Sequence, residues 1–328
     1  MPGFDYVITA RKPTADNTGY TDNPGESDFI KIPDTAPSYT PADEIPRTDW
    51  INEVLAQSAP HRDATGVVRG DVLVFVHGYN NTIGGILQRH RLLKGDLPQY
   101  GFDGTVVSFD WPCNDVALSY LPDRINAKRT ALQLVTDCIT PLAALQSTGQ
   151  CATNVHVLAH STGAYVIREA FDDADDRHVI AVTNWTISQI ALISGDVSSA
   201  SMSSNNAGSE SIYLHCIRLT NYSNPYDEVL QLSNAKRVGL APRVGRIGLP
   251  GNAPATAVNV FCGTYYQTLG PQNPGGLAGV TFSHSWQFGD PVFTQDLAAT
   301  LGGEVDRGVI ATRTRAADGS LVLTTPTP

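Results

Sequence analysis

The stretch from Asn154 to Ile167 leaves this chain few folds to choose from. It opens with a short apolar run, Val155 to Leu158, of the kind a buried strand needs. It closes as a helix start, with Ala164, Val166, Ile167, Ala170 and Phe171 spaced for one helical face. Between them, Ala159-His160-Ser161-Thr162-Gly163 is a sharp strand-to-helix turn of mostly small residues with a serine at its tip. The spacing is that of a G-x-S-x-G elbow, with Ala159 in place of the first glycine. Small residues are needed there because the turn brings strand and helix backbones close together. A serine so placed lifts its Oγ out of the backbone, beside the N–H groups of a helix N-terminus that can stabilise an oxyanion. Serine is also a preferred helix N-cap, so the elbow alone leaves both readings open.

The remainder of the chain repeats the strand-then-helix rhythm. Phe4 to Ala10 reads as an early strand at a sheet edge, and residues 11–47, rich in Pro, Asp, Thr and Gly, as an irregular surface segment. Trp50, Ile51, Val54 and Leu55 fall at helical spacing after Thr48-Asp49. Asp71 to Val76 is a β-type run suited to burial on both faces, breaking at His77-Gly78-Tyr79 before a helix from about Ile83 to Leu93. A strand at Thr105–Phe109 ends in Asp110-Trp111-Pro112, and Asp123–Gln146 reads as a long helix kinked at Pro141. After the elbow come a strand at Trp185–Ile193, a Ser/Asn-rich loop over 198–211, a strand at Ile212–Thr220 and a short helix near 228–235. Residues 239–256 look irregular, Ala257–Phe261 is the last core strand, and His284 lies in the loop before a helix from Pro291 to about Leu301. Residues 303–328 form a weak hairpin or a loose tail. Alternation of this kind implies an α/β fold: a doubly wound, mostly parallel sheet with helices on both faces, here as a single domain over residues 1–328. Sites in such sheets form at the carboxyl ends of the strands, so the loops holding Tyr79, Ser161, Asp227 and His284 should open onto one edge.

Charge and cysteine usage narrow the function classes. The formal charge of −10, from 22 basic and 32 acidic side chains, argues against nucleic acid or an anionic membrane as the partner. The 5 cysteines are widely spaced without a Cys-x-x-Cys, so buried free thiols are expected. There is no metal-ligand spacing such as H-E-x-x-H and no P-loop, so neither metal nor cofactor is expected. No apolar run reaches the length of a membrane span, and the N-terminus has no signal-peptide pattern, which makes a cytoplasmic location the default.

The order Ser161…Asp227…His284 is the chain order of the α/β-hydrolase triad. The chain resembles an α/β-hydrolase group catalogued as a domain of unknown function. The resemblance rests on Thr9-Ala10-Arg11 in the early strand, Val76-His77-Gly78-Tyr79-Asn80-Asn81, Trp111-Pro112, His160-Ser161-Thr162-Gly163 and His284-Ser285. Ala159 and Thr162 are departures from its pattern. The resemblance implies that Ser161 is a nucleophile, His284 its base and Asp227 the acid that orients His284, with the backbone N–H groups of Tyr79 and Thr162 as an oxyanion hole.

Asp196, at the end of the preceding strand, is the alternative acid, and Asp227 could instead cap the helix that follows it. His77 and His160 read as structural or pocket-lining, and Asp110 as structural or substrate-facing. Tyr79, Trp111, Tyr120, Tyr222 and Tyr226 are candidates to line an apolar substrate pocket. The expected activity is hydrolysis of a small carboxylic ester through an acyl-enzyme. An amide, thioester or lactone substrate, and a non-catalytic binding or scaffold role on the same fold, are the alternatives. A serine at the elbow argues against dehalogenase chemistry, which needs a carboxylate there.

Overall fold

A computed structural model describes residues 3–58, 61–62, 68–79, 81–113, 120–143, 151–181, 185–235, 241–270, 281–303 and 306–326. Its strands are β1 (Phe4–Pro13), β2 (Tyr20–Pro33), β3 (His61–Arg62), β4 (Val68–Val76), β5 (Thr105–Asp110), β6 (Cys151–His160), β7 (Ile187–Ile193), β8 (Cys216–Ser223), β9 (Ala257–Phe261), β10 (Arg313–Arg315) and β11 (Leu321–Leu323). They join into one sheet in the order β10-β11-β9-β8-β7-β6-β4-β5-β1-β2, with β3 paired to β4 off this path. From β1 to β11 the neighbours run parallel, and β2, β3 and β10 are antiparallel additions. The doubly wound, mostly parallel α/β fold read from the sequence is the fold that forms.

Side-chain alternation along β4 explains why both faces are covered. Val72, Val74 and Val76 enter one apolar layer with Trp50, Val166, Ile167 and Phe171, from the helices Arg47–Ser58 and Gly163–Asp175. Leu73 and Phe75 enter the opposite layer with Leu93, Phe293 and Leu297, from the helices Ile83–Asp96 and Pro291–Gly302. A strand clothed on both faces must be apolar where it is covered, as Val72–Val76 is.

Several sequence expectations need correction. Residues 11–47 are not simply irregular: β1 runs on to Pro13, and β2 pairs antiparallel with it from Tyr20 to Pro33. β2 was obscured because its register shifts at Pro24, opposite Arg11, and an edge strand tolerates proline and bulges that an inner strand does not. β1 is consequently an inner strand, parallel to β5, and not an edge. The long helix is Tyr120–Gln133, passing into a π-helical stretch Leu134–Ile139 before Pro141, which lacks the N–H a regular turn would use; residues 144–146 lie outside the described residues. Ile212 belongs to a helix, Ala207–Leu214, and β8 starts only at Cys216. His284 stands in a one-turn helix, Phe282–Ser285.

The C-terminal segment is a hairpin rather than a loose tail, and β11 extends the main sheet beside β9. Arg313 anchors it through a buried pair with Asp296, Nη2 to Oδ1 at 2.6 Å. Cys113, Cys138, Cys216 and Cys262 are free and buried, as expected; the side chain of Cys151 lies outside the described residues. No helix among the described residues is long and apolar enough to cross a membrane.

Candidate active site

The sheet register lines up the strand ends. Val76 is level with Phe109 on one side and Ala159 on the other, His160 with Ile193, and Ile193 with Tyr222. The residues that follow, among them His77, Asp110, Ser161, Ser194 and Ser223, therefore share the carboxyl edge.

At the elbow Ser161 has φ of +55°, a left-handed conformation that costs a non-glycine residue about 1–2 kcal/mol and needs external support. The support comes from the end of β7: the Ser161 N–H donates to the Ile193 carbonyl at 3.0 Å, and the Asp196 N–H donates to the Ser161 carbonyl at 2.9 Å. The helix N-cap is Thr162, not Ser161, so the serine is not the cap of this helix. Gly163 is dictated by contact: a Cβ there would lie 2.4 Å from the Val76 carbonyl oxygen and 2.9 Å from that of His77. Backbone cannot yield as a side-chain tip can. Gly163→Ala is expected to cost about 1–3 kcal/mol, read as a lower urea midpoint.

Asp227 and His284 meet. His284 Nδ1 lies 2.8 Å and 3.0 Å from the two carboxylate oxygens of Asp227, with the carboxylate fully buried. A carboxylate only accepts, so Nδ1 carries a proton and donates it to Asp227. The two loops are sewn together around this pair: the Glu228 N–H donates to Ser283 Oγ at 3.2 Å, and Asn224 Nδ2 to the Ser283 carbonyl at 3.3 Å. His160, the residue before the nucleophile candidate, has Nε2 2.8 Å from the His284 carbonyl oxygen. Burial, with His284 and Arg89 nearby, holds His160 well below the ordinary histidine range, so it is the neutral donor of that bond. Asp227 also accepts from the Leu230 N–H at 2.9 Å, so capping the helix Glu228–Ala235 and holding His284 are compatible tasks for one carboxylate.

Asp196 is occupied differently. Its Oδ1 lies 2.9 Å from Nε of Arg243, with both side chains buried. Two of the aromatic candidates are core rather than pocket. Trp111 is fully buried and stacked on His77 at 5.3 Å, and Tyr222 donates from its hydroxyl to Asp296 at 2.7 Å on the far layer. Tyr226 is exposed and stacks on Tyr266, and Tyr79 is half-buried against the core. The side chain of Tyr120, and Asn80 altogether, lie outside the described residues.

Asp110 is the hub of a buried network that the sequence left unassigned. Its carboxylate accepts from Arg11 Nε at 2.8 Å, Thr9 Oγ1 at 3.0 Å and the Tyr39 hydroxyl, and faces His77 Nε2 at 2.9 Å. Burial pushes this carboxyl up, but Arg11 and His77 outweigh it and hold it well below the usual carboxylate range. Burial likewise pushes His77 down, yet its bond to Asp110 and the nearby Cys113 raise it from 6.5 to about 9. The stability this stores is present below about pH 6.5 and lost as pH rises through about 9, on the order of 3 kcal/mol. The urea midpoint is therefore expected to fall between pH 7 and pH 10, and His77→Gln, which cannot titrate, to flatten that fall. Thr9 and Arg11 did carry a signal, as spaced polar residues following the apolar run Tyr6–Ile8 of β1. Tyr39 carried none, because its partner is 71 residues away.

Residues 55–254, more than half of the sequence, match the family described as alpha/beta hydrolase of unknown function (DUF900). The chain belongs to this family. The matched span contains Tyr79, Ser161, Asp196 and Asp227 but stops short of His284. No curated protein matches the chain. Among solved structures, esterase B from Lactobacillus rhamnosis is similar at 11% identity, over 92% of this chain and 85% of its own, with a TM-score of 0.42. Lipase B of Aspergillus fumigatus is similar at 15% identity and a TM-score of 0.37, over 71% of this chain; the match spans only 51% of that lipase. A hormone-sensitive lipase from a metagenome library is similar at 11% identity, over 72% of this chain and 78% of its own, with a TM-score of 0.35. The family match and the sheet order together make this an α/β-hydrolase fold.

Proposed function

We propose that this α/β-hydrolase is a serine hydrolase that cleaves small carboxylic esters. Ser161 Oγ attacks the ester carbonyl while His284 Nε2 takes its proton. The N–H groups of Tyr79 and Thr162 receive the oxyanion, and the alcohol leaves with the proton returned by His284. Water, activated by the same imidazole, then releases the acid. Asp227 keeps the imidazole in the tautomer that has Nε2 free to accept, and stabilises the imidazolium. The observation that carries this reading is the 2.8 Å bond from His284 Nδ1 to a buried Asp227, on a loop that His160 ties to the elbow. Esters are favoured over amides because their leaving group departs more easily.

The test combines a fluorophosphonate probe with a series of p-nitrophenyl esters of rising chain length, in buffer containing a chelator. Native protein is expected to be labelled at Ser161 and to release p-nitrophenol, and denatured protein to do neither. Turnover abolished by the chelator but indifferent to the probe would overturn the proposal.

A further inference from the structure

The carbonyl groups of residues 77–79 are all gripped by side chains. Trp111 Nε1 donates to the His77 carbonyl at 2.7 Å. The Gly78 carbonyl accepts from Asn81 Nδ2 at 2.8 Å and faces His77 Nδ1 at 2.6 Å. The Tyr79 carbonyl accepts from Asn81 Nδ2 at 3.0 Å. Two of the gripping side chains, His77 and Asn81, are themselves held from behind. His77 Nε2 is on Asp110, which Arg11, Thr9 and Tyr39 fix in turn. Asn81 Oδ1 accepts from Nη1 of Arg89, a buried side chain of the helix Ile83–Asp96. Both ring nitrogens of His77 face acceptors, a carboxylate and a carbonyl, so both donate and the ring is an imidazolium.

A trans peptide points its C=O and N–H in opposite directions. Fixing the Gly78 carbonyl on the side of Asp110 and Asn81 therefore turns the Tyr79 N–H to the other side. Gly78 itself lies against the elbow: a Cβ on it would lie 2.6 Å from Ser161 Cβ and 3.2 Å from its Oγ. We propose that His77 and Asn81 are positioning residues that fix the plane of the Gly78–Tyr79 peptide and aim its N–H at the oxyanion formed over Ser161. Asp110 and Arg89 act one step further back, by locking the two gripping side chains. The inference rests on the reading of Ser161 as nucleophile and Tyr79 as oxyanion donor.

The experiment compares Asn81→Ala, His77→Asn and His77→Gln in steady-state hydrolysis of p-nitrophenyl butyrate and in inhibition by an alkylboronic acid, which forms a tetrahedral anion on serine. Losing an oxyanion donor outright costs about two to three decades in kcat, so misaiming one should cost about ten- to a hundredfold. Asn81→Ala is expected to lose that much kcat with little change in KM, and to weaken boronate inhibition by a matching factor. Asparagine puts its amide where Nδ1 of His77 sits and keeps the grip on Gly78. Glutamine puts its amide where Nε2 sits and keeps only the partner of Asp110. His77→Asn should therefore retain more kcat than His77→Gln. A purely structural role predicts the reverse ranking, since the asparagine variant takes one donor away from the buried Asp110 carboxylate. If the histidine variants do not fold, Asn81→Ala decides alone. A wild-type protein with no Ser161-dependent turnover would overturn the hydrolase reading and this proposal together. Normal Ser161-dependent turnover, with kcat and boronate inhibition unchanged in Asn81→Ala, would overturn the positioning role only.

Discussion

Ser161→Ala is expected to lower ester turnover by about four to six decades and to leave the fold intact. Every other part of the proposed machinery acts on the bond that Oγ makes, so removing one atom removes the route rather than one contribution to it. The fold should tolerate the loss, because what holds the elbow is backbone: the Ser161 N–H on Ile193, its carbonyl under the Asp196 N–H, and the close seat of Gly163 on β4. Alanine keeps all three, and the left-handed φ is as costly for alanine as for serine. Matching circular dichroism and urea midpoints, with fluorophosphonate labelling lost, is the expected result. A clean Ser161→Ala preparation that still turns over ester would assign the chemistry elsewhere.

The second large effect separates the two aspartates. Asp227→Asn is expected to lose about four decades in kcat, because an amide can present a donor to Nδ1 and turn the imidazole to the tautomer that cannot accept from Ser161. Asparagine can still accept the Leu230 N–H with its side-chain oxygen, so the helix cap survives and the protein should fold. Asp196→Asn should behave in the opposite way. It removes the carboxylate charge that faces the buried Arg243 guanidinium, and breaking a buried ion pair costs about 3–5 kcal/mol, while the activity of each folded molecule stays near that of the wild type. Stability curves and active-site titration distinguish these outcomes. Equal loss of kcat in both variants would show that Asp196 also acts on the reacting groups.

Local spacing and residue type settled the parts of this protein that depend on neighbours in the chain. The unbroken apolar run Val72–Val76 in β4 pointed to a strand covered on both faces. Small residues around Ser161 could only make a tight strand-to-helix turn. The chain order of Ser161, Asp227 and His284 followed from the succession of strand ends at one edge of a parallel sheet. What local pattern could not decide was pairing between distant groups. β2 hides in the sequence because an edge strand needs no second apolar face, and β11 because a three-residue strand is defined by its partner β9 rather than by its own composition. Asp196 and Asp227 both follow strand ends in the sequence, and only the fold sets Arg243 beside one and His284 beside the other. Asp110 gathers Thr9, Arg11, Tyr39 and His77 from separate segments. A buried carboxylate is stable only where enough donors converge on it, and convergence across separations of up to 101 residues is a property of the folded chain and of no window within it.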